Sequence, residues 1–208
     1  RALFCLLLTT TLIAGKDAGS EQTLPLDPSY IIQTLPNGIT YYIRANAKPE
    51  SRAELRLVVN TGSITEDDDQ QGLAHFIEHM AFNGSTHFSK NELVDYLQSI
   101  GMRFGAHLNA YTSFDETVYM LKVPIDQEGA MDKAFLILED WAHGVGFDGE
   151  EIDKERGVVV EEWRSGRGAF ARIFDKQSQV LFHNSRYAER LPIGKPEILE
   201  NAPHEALK

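Results

Sequence analysis

His75, Glu78 and His79 stand in the order His-x-x-Glu-His within Gly72-Leu73-Ala74-His75-Phe76-Ile77-Glu78-His79-Met80-Ala81-Phe82. Two His four residues apart fall on one face of an α-helix, one turn from each other. Two neutral imidazoles fixed in that way make two of the three protein ligands of a catalytic zinc site. Glu78, three residues after His75, flanks the same face and can reach the open coordination position. Zinc lowers the pKa of a water held there to about 7, and a neighbouring carboxylate can take its proton as it attacks a carbonyl carbon. A His pair at helical spacing also occurs on solvated faces. Here Leu73, Phe76, Ile77 and Met80 give the segment an apolar side, so it reads as a buried amphipathic helix. Burying two His and a Glu there is costly unless they are paired or bind metal.

A zinc held by two His needs a third protein ligand. The chain has one cysteine, Cys5, which excludes an intrachain disulfide and a Cys-based zinc cluster. The ligand must then be His or carboxylate, and the candidates lie in the acidic stretch from Glu150 to Glu162. Glu155 and Glu162 are seven residues apart and share a helix face, whereas Glu161 points about 100° away from Glu162. One of the pair can bind metal while the other orients a ligating His. Helix geometry alone does not choose between them.

The elements that must position these groups follow from pattern. Ile31–Leu35 and Ile39–Arg44 flank Pro36-Asn37-Gly38, a hairpin signal. Glu54–Asn60 reads as a strand. Glu66-Asp67-Asp68-Asp69 reads as a solvated loop whose charge favours the N-terminus of the following helix. Ser89, with Glu92 three residues on, predicts a capping box opening a helix through Leu93, Leu97 and Ile100. Phe104–Thr112 and Glu116–Pro124 read as two strands, and His107 within the first as a structural His. Asp126 is expected to cap a helix through Trp141, Asp148–Arg164 to form the acidic helix, and Phe170–Phe182 another. The tail, with Pro192, Gly194, Pro196 and Pro203, reads mostly as loop, with a helix starting at His204.

The 208 residues suffice for one good core. Hydrophobic content of 42% and charged content of 25% are ordinary for a globular domain. The net charge, 20 − 31 = −11, argues against a general nucleic-acid binder. Residues 1–14 begin with Arg1 and continue as an apolar run, which reads as the remnant of a secretory signal peptide and is too short for a stable membrane span. Residues 15–29 read as a linker, and 30–208 as the functional domain.

Four blocks carry a resemblance. Gly72–Gly84, His107-Leu-Asn-Ala-Tyr-Thr-Ser113 with Asp115-Glu-Thr-Val-Tyr119, Glu155-Arg-Gly-Val-Val-Val-Glu-Glu-Trp-Arg164, and Tyr187-Ala-Glu-Arg-Leu-Pro-Ile-Gly194 resemble, in order, the motifs of the pitrilysin/insulinase metallopeptidases, whose inverted His-x-x-Glu-His marks them as inverzincins. The wording of the third and fourth blocks is most similar to bacterial exported, PqqL-like members. The resemblance implies an α+β fold, a mostly antiparallel sheet packed by helices, like a half-domain of the mitochondrial processing peptidase. It implies one Zn²⁺ per chain on His75 and His79, with Glu78 as base. The family's spacing from the second His selects Glu155 as third ligand; the local Glu-Arg-x-Val-Val-x-x-Glu motif selects Glu162, with Glu155 beside it. The motif is followed here: Glu162 as ligand, Glu155 in support. Leu108–Thr112 resembles the family's substrate-side strand, which makes Asn109, Ala110 and Tyr111 the candidates for contact with a peptide. The expected activity is zinc-dependent endoproteolysis of unstructured peptides or small proteins, outside the cytoplasm in a bacterial periplasm or secreted. The resemblance further implies a second homologous half or subunit that closes a chamber, a domain truncated at its C-terminal end here, and, as alternatives, a fragment inactive without that half or a non-catalytic scaffold on the same fold.

Overall fold

The computed structural model describes residues 25–103 and 105–208. The expected signal-peptide remnant and the linker up to residue 24 lie outside the described residues. The chain divides between Lys48 and Pro49 into two compact units. In the first, β1 (Tyr30–Thr34) and β2 (Thr40–Arg44) pair antiparallel, with Tyr30 opposite Arg44 and Thr34 opposite Thr40. Gly38 at φ 91° turns the chain between them, a conformation that favours glycine. This is the hairpin that Asn37-Gly38 predicts.

In the second unit, β3 (Arg52–Val59), β4 (Leu108–Thr112) and β5 (Thr117–Pro124) form an antiparallel sheet in the order β3-β5-β4. The central strand reads Thr-Val-Tyr-Met-Leu-Lys-Val-Pro and is buried at six of its eight positions, as a strand covered on both faces must be. Leu121 of β5 sits opposite both Leu55 and Leu108 and is fully buried. Leu121→Ala is therefore expected to cost about 2–5 kcal/mol, read as a lower denaturant midpoint at unchanged slope.

The helices are α1 (Leu73–Met80), α2 (Lys90–Ser99), α3 (Ala130–His143), α4 (Gly149–Ser165), α5 (Ala169–Leu181) and α6 (Pro196–Asn201). One core joins the sheet to α2 and α3 through Leu93, Leu97, Ile137 and Trp141. A second joins α1, α4 and α6 through Phe76, Met80, Ile152, Val159 and Leu199. The site helix α1 belongs to the second core and also packs against β4 and β5. Asp148 caps α4, accepting from the amides of Glu150 and Glu151 at 2.9 and 3.1 Å. Glu92 reaches back to the Ser89 amide at 3.4 Å, completing the expected capping box.

Three local expectations are corrected. The first strand of the expected pair begins at Leu108, because residues 105–107 form a turn with Gly105 at φ 79°, its amide donating to the Leu108 carbonyl; Phe104 lies outside the described residues. Asp126 does not cap α3; the helix starts at Ala130 behind Gly129 at φ 74°. The tail, read mostly as loop, also holds a short helix that the reading missed: Pro196 in its first turn opens α6, where a missing amide proton costs nothing. No helix among the described residues is long and apolar enough to cross a membrane.

Candidate metal centre

Helix α1 starts on a cap supplied from a distance. Glu66 is buried, and its two carboxylate oxygens accept from the amides of Gly72 and Ala74 at 3.0 and 2.8 Å. Its acid run was expected to be solvated; the charge does favour the helix N-terminus, but Glu66 meets it inside the protein. Burial raises the Glu66 pKa against those amide bonds. Arg190 then ties the loop down, donating from Nε to the Glu66 carbonyl at 3.0 Å and from Nη2 to Asp68 at 2.5 Å. Gly72 (φ 100°) and Gly194 (φ 72°) let two backbones cross where a Cβ on either would collide. That crossing brings Pro192 and Ile193 to the mouth of the site.

On α1, the helical spacing does what it predicts. The His75 and His79 rings lie 4.8 Å apart, edge to face. Both present Nε2 to one oxygen of Glu162, at 3.8 Å from His75 and 3.2 Å from His79. One potential ligand atom from each of the three residues falls within a 4.8 Å span. Glu155 and Glu162 do share a face of α4, but they meet opposite sides of His79. Glu155 Oε1 lies 2.8 Å from His79 Nδ1. A carboxylate there accepts only if Nδ1 carries the proton, which leaves Nε2 with its lone pair facing Glu162. Glu161 is exposed beside Arg164.

The donor set suits a divalent metal. Burial, then the neighbouring His79, lowers the His75 pKa and keeps the ring neutral, as ligation requires. Burial also opposes charge on His79, but the hydrogen bond it donates to Glu155 and the surrounding carboxylates outweigh it and raise its pKa. His75 Nδ1 is buried without a hydrogen-bond partner. Leaving a buried polar atom unmatched costs about 1–3 kcal/mol, a cost that ligation through the other nitrogen can offset. Two imidazoles and one carboxylate are a set that zinc accepts.

Glu78 is buried, and burial raises its pKa, with the charge of Glu162 acting in the same direction. The Thr112 hydroxyl donates to Glu78 Oε2 at 2.5 Å. A cavity of about 300 Å³ opens here, lined by His75, Glu78, Glu162, Ala110, Tyr111, Thr112, Pro192 and Ile193. Among the described residues, strand β4 is at the edge of its three-stranded sheet, with no strand paired on its outer side. Of the three expected substrate contacts, Ala110 and Tyr111 line the cavity; Asn109 is exposed and does not. Tyr111 donates through Oη to Glu116 at 2.6 Å. His107 does not line the cavity; its Nδ1 accepts from the Arg103 amide at 3.1 Å.

Sequence reasoning missed Thr112, Pro192, Ile193 and the burial of Glu66. Thr112 was within reach, because it lies two residues after Ala110 on the same strand face. The others depend on the Gly72–Gly194 crossing, which has no local signature.

The model of the insulinase family (peptidase family M16) matches residues 41–184. A probable zinc protease PqqL of Haemophilus influenzae is 38% identical over 199 residues, which cover 96% of this chain and 22% of that protein. The crystal structure of the periplasmic protease PqqL from Escherichia coli superposes with a TM-score of 0.85 at 38% identity, over 88% of this chain and 20% of that one. The structure of the first half of the same protease matches equally well, with 39% of that half covered. The chain thus spans about a fifth of the length of the full-length relatives it matches. The family match takes in most of the chain, including every candidate ligand and Glu78: the chain belongs to the insulinase peptidases, family M16.

Proposed function

We propose that this chain is the zinc-binding part of a metalloendopeptidase that hydrolyses peptide bonds in unstructured peptides or small proteins. His75, His79 and Glu162 hold one Zn²⁺, and Glu155 orients His79. When bound, the ion supplies Lewis-acid activation of water and of the scissile carbonyl. Glu78 accepts the proton of the attacking water at its free carboxylate oxygen and passes it to the leaving amine nitrogen. Thr112 holds the other oxygen of Glu78, and so the face it presents to the cavity. An extended peptide pairs with the open edge of β4, its backbone laid along Asn109, Ala110 and Tyr111. Pro192 and Ile193 add an apolar part to the cavity lining.

The observation that carries this reading is the convergence of His75, His79 and Glu162 beside a buried Glu78 in a cavity flanked by an edge strand. A scaffold protein on this fold has no need of that set. A second homologous half closes the chamber. The relatives' length supports this, as do Phe170, Ile173, Val180 and Leu181, which stand exposed on α5. Export to a periplasm accords with the apolar run of residues 2–14 and with the periplasmic location of the Escherichia coli relative.

The test is zinc stoichiometry and cleavage of an unstructured peptide, measured on the chain alone and together with the remainder of its protein. About one zinc per folded chain is expected, with cleavage that a chelator abolishes and zinc restores. A folded chain that takes up no zinc overturns the reading.

A further inference from the structure

Asn83 lies in the turn that follows α1, three residues beyond Met80, and is partly buried. Its Nδ2 donates twice: to the His79 carbonyl at 3.2 Å and to Glu155 Oε2 at 2.8 Å. Both neighbours are acceptors, so the nitrogen and not the oxygen of the amide must face them. Glu155 Oε1 meanwhile faces His79 Nδ1. The two oxygens of one carboxylate are thereby held by residues from opposite sides, one from α1 and one from the turn after it. A glutamate's terminal torsion is broad and two-fold, so a carboxylate held at one oxygen alone still swings. Asn83 also forms part of Asn83-Gly84-Ser85, formally a glycosylation sequon, a match too short to carry weight.

We infer that Asn83 is a positioning residue of the metal centre: it fixes Glu155, which fixes the tautomer and orientation of His79, which directs Nε2 at the metal position. The inference rests on the metal reading above and extends it by one residue. It asks nothing of Asn83 in the chemistry itself.

The test is a double-mutant cycle on the zinc dissociation constant, measured by competition with a chromophoric chelator. The chains compared are the parent, Asn83→Leu, Glu155→Gln and the double variant, each with its apo melting temperature. Asn83→Leu is expected to weaken zinc binding by about 10–100-fold, the usual cost of losing an outer partner of a ligating His, while one zinc is still bound. The double variant is expected to bind no more weakly than Glu155→Gln alone. Asn83→Asp keeps the shape without the amide protons and is expected to weaken binding at least as far, which provides a second reading should Asn83→Leu fold poorly. Zinc affinity unchanged in both Asn83 variants overturns the inference even if the melting temperature falls. So does a full additive loss in the double variant. A folded parent that binds no zinc instead overturns the metal reading itself.

Discussion

Glu78→Gln is expected to leave zinc bound and to cut peptide hydrolysis by about 10²–10⁴-fold, the usual contribution of a positioned general base. The substitution isolates the proton. Gln has the same length, and its amide oxygen can still accept the Thr112 hydroxyl that now donates to Glu78 Oε2. The three groups that converge as a candidate ligand set are His75, His79 and Glu162, and Glu78 is not one of them. What Gln lacks is a site that takes a proton from water. Burial already raises the pKa of Glu78 from its ordinary value, which strengthens it as a base, because catalytic efficiency rises as the pKa approaches the working pH. Metal content by elemental analysis and turnover of a fluorogenic unstructured peptide check the two halves of the expectation. Cleavage equal to the parent's would remove Glu78 from the mechanism. Loss of zinc would make it a support of the ligand set rather than a base.

The parts of the molecule that were legible in its sequence are those whose physics is local. Helical spacing placed His75 and His79 on one face, and alternation, turn residues and caps located most of the strands and helices, while their assembly into an α+β fold came from the family resemblance; α6 was missed, and β4 and α3 begin later than expected. The choice between Glu155 and Glu162 was of another kind. Both lie on one face of α4, and periodicity treats them alike. They are separated by the orientation of a single ring on another helix, which puts Nδ1 of His79 toward one and Nε2 toward the other. Thr112 meets Glu78 across 34 residues of chain, and Arg190 meets Glu66 across 124. The first needs α1 packed on β4, and the second needs the two backbones to cross at Gly72 and Gly194. The acidic run misled for a related reason. Asp67, Asp68 and Asp69 are exposed as acidic loops usually are, but Glu66 is turned inward by the unpaired amides of a helix that has no capping side chain of its own.

That difference between the two glutamates gives the second large effect. Glu162→Gln is expected to weaken zinc binding well beyond the about 10–100-fold expected of Glu155→Gln, and to abolish peptide cleavage at limiting zinc. Glu162 is the carboxylate within reach of both Nε2 atoms, and a neutral amide oxygen is a far poorer partner for a dication than a carboxylate. Its side chain is 49% exposed, so the substitution should barely move the apo melting temperature. Glu155 is the opposite case. Its side chain is only 11% exposed. A Gln there can still accept from His79 Nδ1–H, but its amide nitrogen must then face the Asn83 nitrogen, donor against donor. Glu155→Gln is therefore expected to lower the apo melting temperature and to loosen zinc without removing it. The pair thus separates a residue that binds the metal from one that holds a ligand in place, by which measurement moves more. Should Glu155→Gln lose zinc outright while Glu162→Gln keeps it, the assignment reverses. The spacing of 76 residues between His79 and Glu155 would then have been the better guide than the motif around Glu162.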